Sequence, residues 1–226
     1  MSGTTGADGA GDPLREVPAC VDRVATHFAR PPLDGEIARA RVEFDQQRGA
    51  VCDDEELFGN HVAAFLEWYA IDRPLGTEGP PVTRALQLGG IDSPHLLRAL
   101  ARSQHSLFEV VDPRLAEPQG LRLLDLVGGG LWRVDLELPM AGLTRGDIFE
   151  ARLIPWEGRV RFGPVFCYHP REARTAIHEV VSRGRALRWS RFQVICALAR
   201  MRLKHSRCRN MPAARIYTVR GMVQGE

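Results

Sequence analysis

Apolar residues change their period near Leu107 in this 226-residue chain, and no other feature restricts its fold as much. Up to Ala101 they recur every three or four positions, the spacing of helices with one buried face. From Leu107 to Tyr168 they alternate in short runs, the spacing of strands. After Pro170 the helical period returns. Helices flanking a β-rich middle bury their faces by stacking in layers, so the expected class is α+β. The expected order is a helical N-terminal region, a small five-stranded antiparallel β-barrel and C-terminal helices. In residue numbers these are a disordered tail at 1–13, helices over 14–106, the barrel over 107–169, basic helices over 170–210 and a second tail at 211–226.

Within the first region, Leu14, Val17, Val21, Val24, Ala25 and Phe28 predict a helix stopped by Pro31-Pro32. A second carries Ile37, Ala40 and Phe44 and ends near Gly49. The run Asp53-Asp54-Glu55-Glu56 predicts the N-terminus of a third, where carboxylates meet the positive end of the helix dipole. No glycine-bearing calcium loop accompanies it. Leu57, Phe58, Val62, Phe65, Leu66 and Tyr69 form the apolar stripe of that helix. It stops at Asp72-Arg73-Pro74, because proline biases the residue before it out of helical geometry. Glu67 and Asp72 could act as acid–base carboxylates. The structural alternative is that one of them pairs with Arg73 or with an arginine of another element. Residues 82–88 read as a short helix closed by Gly89-Gly90, and Ser93-Pro94 starts another. His95, His105 and Ser106 invite a catalytic pairing, but no third group is placed by sequence, and the histidines read as surface residues.

Five strands are expected at 107–111, 121–127, 131–138, 148–154 and around 160–168. In the third, Trp132, Val134, Leu136 and Leu138 face one way and Arg133, Asp135 and Glu137 the other. Gly128-Gly129-Gly130 joins two strands and opens no helix, so it is a turn and not a phosphate loop. Gly163-Pro164 implies a bulge or an edge in the last strand. Short strands with tight turns suggest a closed or half-closed barrel of SH3-like or OB-like type. Cys167 and His169, two apart on one strand, fall on the same side and could form a thiol–imidazole pair. Without an orienting third group, the expected roles are a buried thiol and a histidine capping the next helix.

A helix from Pro170 is expected to end at Gly184, followed by one over about 188–207. The latter is apolar on two sides: Trp189, Phe192, Cys196, Ala199 and Leu203 on one, Val194, Leu198 and Met201 on the other. Such a helix is central in a core or packed on a partner. Between these faces run two basic ribs, Arg188, Arg191 and Arg202 on one side and Arg200, Lys204 and Arg207 on the other. Charge is also divided along the chain. From Pro170 onward there are 13 arginine and lysine residues against 3 glutamates, whereas residues 1–169 hold 17 basic and 25 acidic ones. The ribs suit the phosphates of a nucleic acid or other polyanion, the acids of a protein partner or of the chain itself, or solvent. His205 and Cys208 have helical ligand spacing, but two donors are too few for zinc, and no metal or cofactor is expected.

No run of about 18 apolar residues suggests a membrane span. The Gly-rich start lacks the basic and apolar segments of a signal peptide. An odd, scattered set of five cysteines suggests reduced thiols in a cytoplasmic protein.

Three segments, FLEWYAIDRPL (65–75), SLFEV (106–110) and LTRGDIFEARLIP (143–155), resemble a family of uncharacterised bacterial proteins. Its members carry a helical region with an FLEWY-x-x-DRP segment, then SLFEV and a GD-containing β-region, and FCYHPREA (166–173) fits the same pattern. Similar regions occur in some proteins that end in a short metal-binding SEC-C motif. The cysteine-rich end of that motif is missing here, so metal binding is not implied. The resemblance spans about residues 36–210 and implies no named activity.

These observations predict a non-enzymatic binding module that contacts nucleic acid or another polyanion through Arg188, Arg191, Arg200, Arg202, Lys204 and Arg207. The first alternative is a protein–protein module that self-associates through its last helix. The second is an enzyme using Glu67, Asp72, Cys167 or His169, which requires that at least two of these meet in one cavity.

Overall fold

The chain is described from a computed structural model that covers residues 13–31, 33–115, 119–136 and 142–222. Residues 1–12 of the tail expected at 1–13, Glu137 and Leu138 of the third strand and residues 223–226 lie outside the described residues. After a 3-10 turn at Pro13–Glu16 come α1 (Val17–His27), α2 (Glu36–Arg48) and α3 (Phe58–Glu67). One π-helical turn, Trp68–Asp72, extends α3 and is followed by α4 (Pro81–Leu88) and α5 (Pro94–Ala101). Five strands follow: β1 (Gln104–Leu115), β2 (Gly120–Asp125), β3 (Leu131–Asp135), β4 (Ile148–Trp156) and β5 (Arg159–Tyr168). The chain closes with α6 (Arg174–Ala186), α7 (Arg191–Arg207) and α8 (Ala213–Ile216).

Local chemistry accounts for most of these limits. Arg73, held extended ahead of Pro74, ends the helical run where the proline predicted. Ser190 caps α7 with a reciprocal capping box to Gln193. Two boundaries differ from expectation. Gly184 does not end α6; it is buried within the helix. Residues 211–222 are also no tail, because Ala213, Ile216 and Tyr217 are buried among α6 and α7.

The strands form one antiparallel sheet in the order β3-β2-β1-β4-β5. The order β4-β1-β2-β3 within it is a Greek key, with β5 added by a hairpin. Glu157 and Gly158 make the hairpin turn, both with left-handed φ, as a two-residue turn between twisted strands requires. Near Gly163-Pro164 the partner of Ala151 is Phe166 but that of Leu153 is Phe162, so β5 carries the expected bulge. The expectation of a closed barrel is corrected: among the described residues, no hydrogen-bonded ladder joins β3 to β5. These outer strands nonetheless lie side by side, with Arg159 Nε 3.9 Å from Asp135 Oδ2.

Three apolar cores follow from this curl. Phe108, Val110, Leu121, Leu123, Val134, Phe149, Ala151 and Leu153 fill its inside, with Trp132, Phe162 and Phe166 at the rim. On its outside, α1 to α5 pack with Ile154 and Trp156 at one end of β4. At the other end, α6, α7 and α8 pack with Leu107, Leu126 and Ile148. Strand β4 is therefore buried on both faces. Helix α7 resolves its two apolar faces in the same way. Val194, Leu198 and Met201 enter the C-terminal core, while Phe192 reaches the N-terminal one and stacks on Trp68, rings 5.4 Å apart. Val194, Leu198 and Met201 are thereby buried, while Phe192 stays half-buried at the edge of a cleft.

Among the described residues, no helix is long and apolar enough to cross a membrane. All five cysteines are free thiols.

Candidate functional site

The outer face of β4 turns two charges, Glu150 and Arg152, towards the helices. Arg152 is 1 % exposed and is the largest fully buried side chain. Its Nε donates to Glu67 Oε2 at 3.2 Å, and Nη1 donates to Asp72 Oδ1 at 3.2 Å and Ser103 Oγ at 3.1 Å. Nη2 donates to Asp72 Oδ2. Glu150 receives Arg48 of α2 in a two-pronged bond, at 2.8 and 2.9 Å, and also bonds His105 Nε2 at 2.9 Å. His105 and Arg152 stand opposite each other on β1 and β4, so the two clusters adjoin.

Burial shapes the protonation of this seam. Desolvation raises the Glu67 carboxyl above its ordinary value despite Arg152, and its Oε1 has no hydrogen-bond partner. Desolvation acts on Glu150 too, but Arg48 and the His105 hydrogen bond outweigh it and hold that carboxyl well below the usual range. A third acid, Asp125 at the end of β2, accepts from Ser106 Oγ at 2.6 Å, from the amides of Val127 and Gly128, from Gln104 and from Arg191. This explains the triple-glycine turn. A Cβ on Gly128 would lie 2.3 Å from Arg191 Nη2 and 2.6 Å from Asp125 Oδ2, so only glycine lets Arg191 reach the carboxylate.

A cleft of about 320 Å³ opens onto this seam. Its lining comes from α2 (Glu43, Gln47), the π turn and its exit (Trp68, Asp72, Arg73, Pro74), β1 (His105) and α7 (Arg191, Phe192, Ile195). Arg73 is anchored by Glu36 at 2.6 Å and Glu43 at 2.8 Å and lies over the Trp68 ring. A second hollow, about 430 Å³, lies between α5 and the β4–β5 turn, lined by His95, Arg98, Arg102, Trp156, Glu157 and Arg159 among others.

The residues singled out from sequence fall into distinct places. Glu67 and Asp72 do meet, on Arg152 rather than on Arg73, and Asp72 also lines the cleft. Cys167 and His169 share a side of β5 but take different partners, Asn60 for the thiol and Tyr217 for the imidazole. Burial pushes the Cys167 thiol up to about 11, which keeps it protonated and poorly nucleophilic at neutral pH. His105 and Ser106 point to opposite faces of β1, and His105 is no surface residue: its side chain is 16 % exposed and held by Glu150. The run Asp53–Glu56 precedes α3 rather than starting it. Glu55 pairs with Arg207, and Glu56 with Arg209.

The six basic residues of the last helix form no continuous strip. Arg191 is turned onto Asp125, Arg207 onto Glu55, and Arg200 donates to the Gln47 carbonyl. Arg202 is half-buried, with its Nε unpartnered. Arg188, in a left-handed turn before α7, and Lys204 are exposed. Much of the basic C-terminal surplus is thus answered by acids and carbonyls of the N-terminal half. Sequence reasoning weighed His105 and set it aside as a surface residue, and it passed over Glu150 and Arg152. Their one signal was the charged positions on the strands that read as the most apolar.

Among the described residues, no group of three His, Cys, Asp or Glu side chains could hold a metal ion. No protein-family model, no curated protein and no solved structure matches this chain.

Removing one partner of a buried ion pair leaves the other desolvated and uncompensated, at a cost of about 3–5 kcal/mol. Arg152→Met should therefore destabilise the protein by about that amount in urea unfolding, and adding Glu67→Gln should restore part of it. His169 gives a pH test. Burial, helped by Arg202, pushes its imidazole from 6.5 down to about 3. The unfolded chain takes up a proton below pH 6.5 that the folded chain refuses. Stability from this group is complete above that pH and lost as pH falls towards 3, by up to about 1.4 kcal/mol per unit. Unfolding of His169→Gln across this range should show a slope shallower by as much as one proton.

Proposed function

We propose that the protein is a non-enzymatic binding module for single-stranded nucleic acid, and that its contact surface lies on the sheet side rather than on α7. The observation that carries this reading is a track of arginines. Arg98 and Arg102 sit one helical turn apart at the end of α5, exposed and without acid partners. Across the hollow stands Arg159, 58 % exposed, which touches Asp135 only at 3.9 Å. Asp135 leads to Arg133 on the outer face of β3, whose cross-strand partner is Arg122, exposed on β2. Among the described residues, five arginines beside Asp112, Asp135 and Glu157 suit a chain of phosphates better than one isolated anion. The exposed His95 ring lies 4.4 Å from that of Trp156 in the hollow and offers a surface on which a base can stack.

The sheet supports the same reading by analogy. A five-stranded Greek key whose outer strands lie together without bonding fits an open barrel of OB-like type, which we propose as its finer class. The earlier expectation, contact through α7, now rests on Arg188 and Lys204.

Both surfaces are tested together by fluorescence anisotropy with a labelled single-stranded DNA at low salt. Binding should weaken steeply with salt. Arg98→Glu/Arg102→Glu should weaken it at least tenfold and flatten the logarithmic salt slope by about 1.4, from roughly 0.7 per lost contact. Arg188→Glu/Lys204→Glu should leave it unchanged. Absence of binding at low salt overturns the reading, and the opposite ranking of the two variants returns the contact to α7.

A further inference from the structure

The nucleic-acid track leaves the cleft between α2, the π turn, β1 and α7 without a role. Several independent features of that cleft are hard to explain by stability alone. Burying Arg48, Arg152, Glu67 and Glu150 costs several kcal/mol of desolvation per ion, which apolar residues of similar size would avoid. Glu67 keeps an unpartnered buried oxygen behind it. The wall at Trp68–Asp72 is π-helical, a geometry rare in helices and frequent at functional sites.

Its polar groups are supplied in complementary kinds. On the acceptor side stand Glu43, whose side chain is 42 % exposed and whose Oε2 alone is bonded, to Arg73, and Asp72, 33 % exposed. On the donor side stands Arg191, 34 % exposed, with Nη1 taken by Asp125 and the His105 carbonyl. Arg191 also opens α7, a 17-residue helix, so the positive end of a helix dipole reinforces the donor side. His105 is oriented by Glu150 through Nε2, leaving Nδ1 as the nitrogen not committed to the seam. Between these groups Phe192 and Pro74 give an apolar surface, with Ile195 buried beneath it. A ligand that satisfies all three parts has a carboxylate, a cationic amine and a small apolar body. The volume of about 320 Å³ admits such a molecule and excludes a long chain.

We propose that this cleft binds a free α-amino acid, its carboxylate at Arg191 and the start of α7, its ammonium at Asp72 and Glu43, and its side chain against Phe192 and Pro74. Nothing covalent is required. The site is separate from the arginine track, so either can exist without the other.

Calorimetry on the full chain tests the proposal, with each standard amino acid as a separate probe. At least one should bind with one-to-one stoichiometry. For that probe, the amine lacking the carboxylate and the acid lacking the amine should each bind at least tenfold more weakly. Glu43→Gln keeps the Arg73–Glu36 pair and should weaken binding about tenfold. Gln47→Trp, at a half-exposed position, should fill the mouth and abolish binding, while circular dichroism and the melting temperature verify the fold of both variants. The proposal is overturned if no amino acid binds, if the bare amine or bare acid binds as tightly as the zwitterion, or if folded Glu43→Gln and Gln47→Trp bind as the parent does.

Discussion

The helices are fastened to the sheet through charge. Arg152 and Glu150, alternate residues of a strand buried on both faces, hold Glu67 and Asp72 on one side and Arg48 and His105 on the other. An apolar seam would tolerate sliding, because dispersion contacts are individually weak and non-directional. A two-pronged guanidinium–carboxylate pair has one good geometry. The register between α2, α3 and β4 is therefore set by bonds that a shift of one residue would break, leaving charges buried and unpaired. The clefts on either side of the seam inherit that rigidity.

Fixing β4 also fixes what surrounds it. Its inner residues face the curled interior, and its hairpin turn carries Arg159 towards β3. The bulge at Gly163-Pro164 lets β5 pass Arg152 closely, since a Cβ on Gly163 would stand 3.2 Å from that of Arg152. A sheet bent in this way brings its two outer strands together without aligning their hydrogen-bonding groups. The opening between them is the consequence, and the arginines of β2, β3 and β5 lie on the outer surface beside it.

Much of this arrangement is legible in the sequence because it is local. The helical stripe from Leu57 to Tyr69, the stop before Pro74, the helix start at Ser93-Pro94, the alternation around Val134 and the bulge at Gly163 each depend on neighbours within a few residues. Charge pairing does not. Arg48 finds its acid 102 positions away, Arg152 reaches back 85 to Glu67, and Arg207 reaches back 152 to Glu55. Nothing in a one-dimensional pattern says which acid an arginine will meet. The ribs of α7 therefore looked like a surface for a foreign anion, while Arg191 meets Asp125 and Arg207 meets Glu55, in an acidic run that read as a helix start. His105 was misjudged for the same reason, because its partner Glu150 arrives from a strand 45 residues later.

Three segments gain a common meaning from this geometry. FLEWYAIDRPL supplies Glu67, Trp68, Asp72 and Arg73; SLFEV begins just after His105; and LTRGDIFEARLIP supplies Glu150 and Arg152. Separated by more than 80 residues at their extremes, they converge on one seam and the cleft above it. Packing alone would be served by apolar residues at these positions, and several are charged and buried instead. Buried charge is a poor way to gain stability, since well-packed hydrophobic residues do as well or better. We propose that what unites these segments is the cleft. On that reading Phe65, Trp68 and Tyr69 hold the π turn in the core, so that Asp72 and Arg73 are delivered to its rim in one conformation.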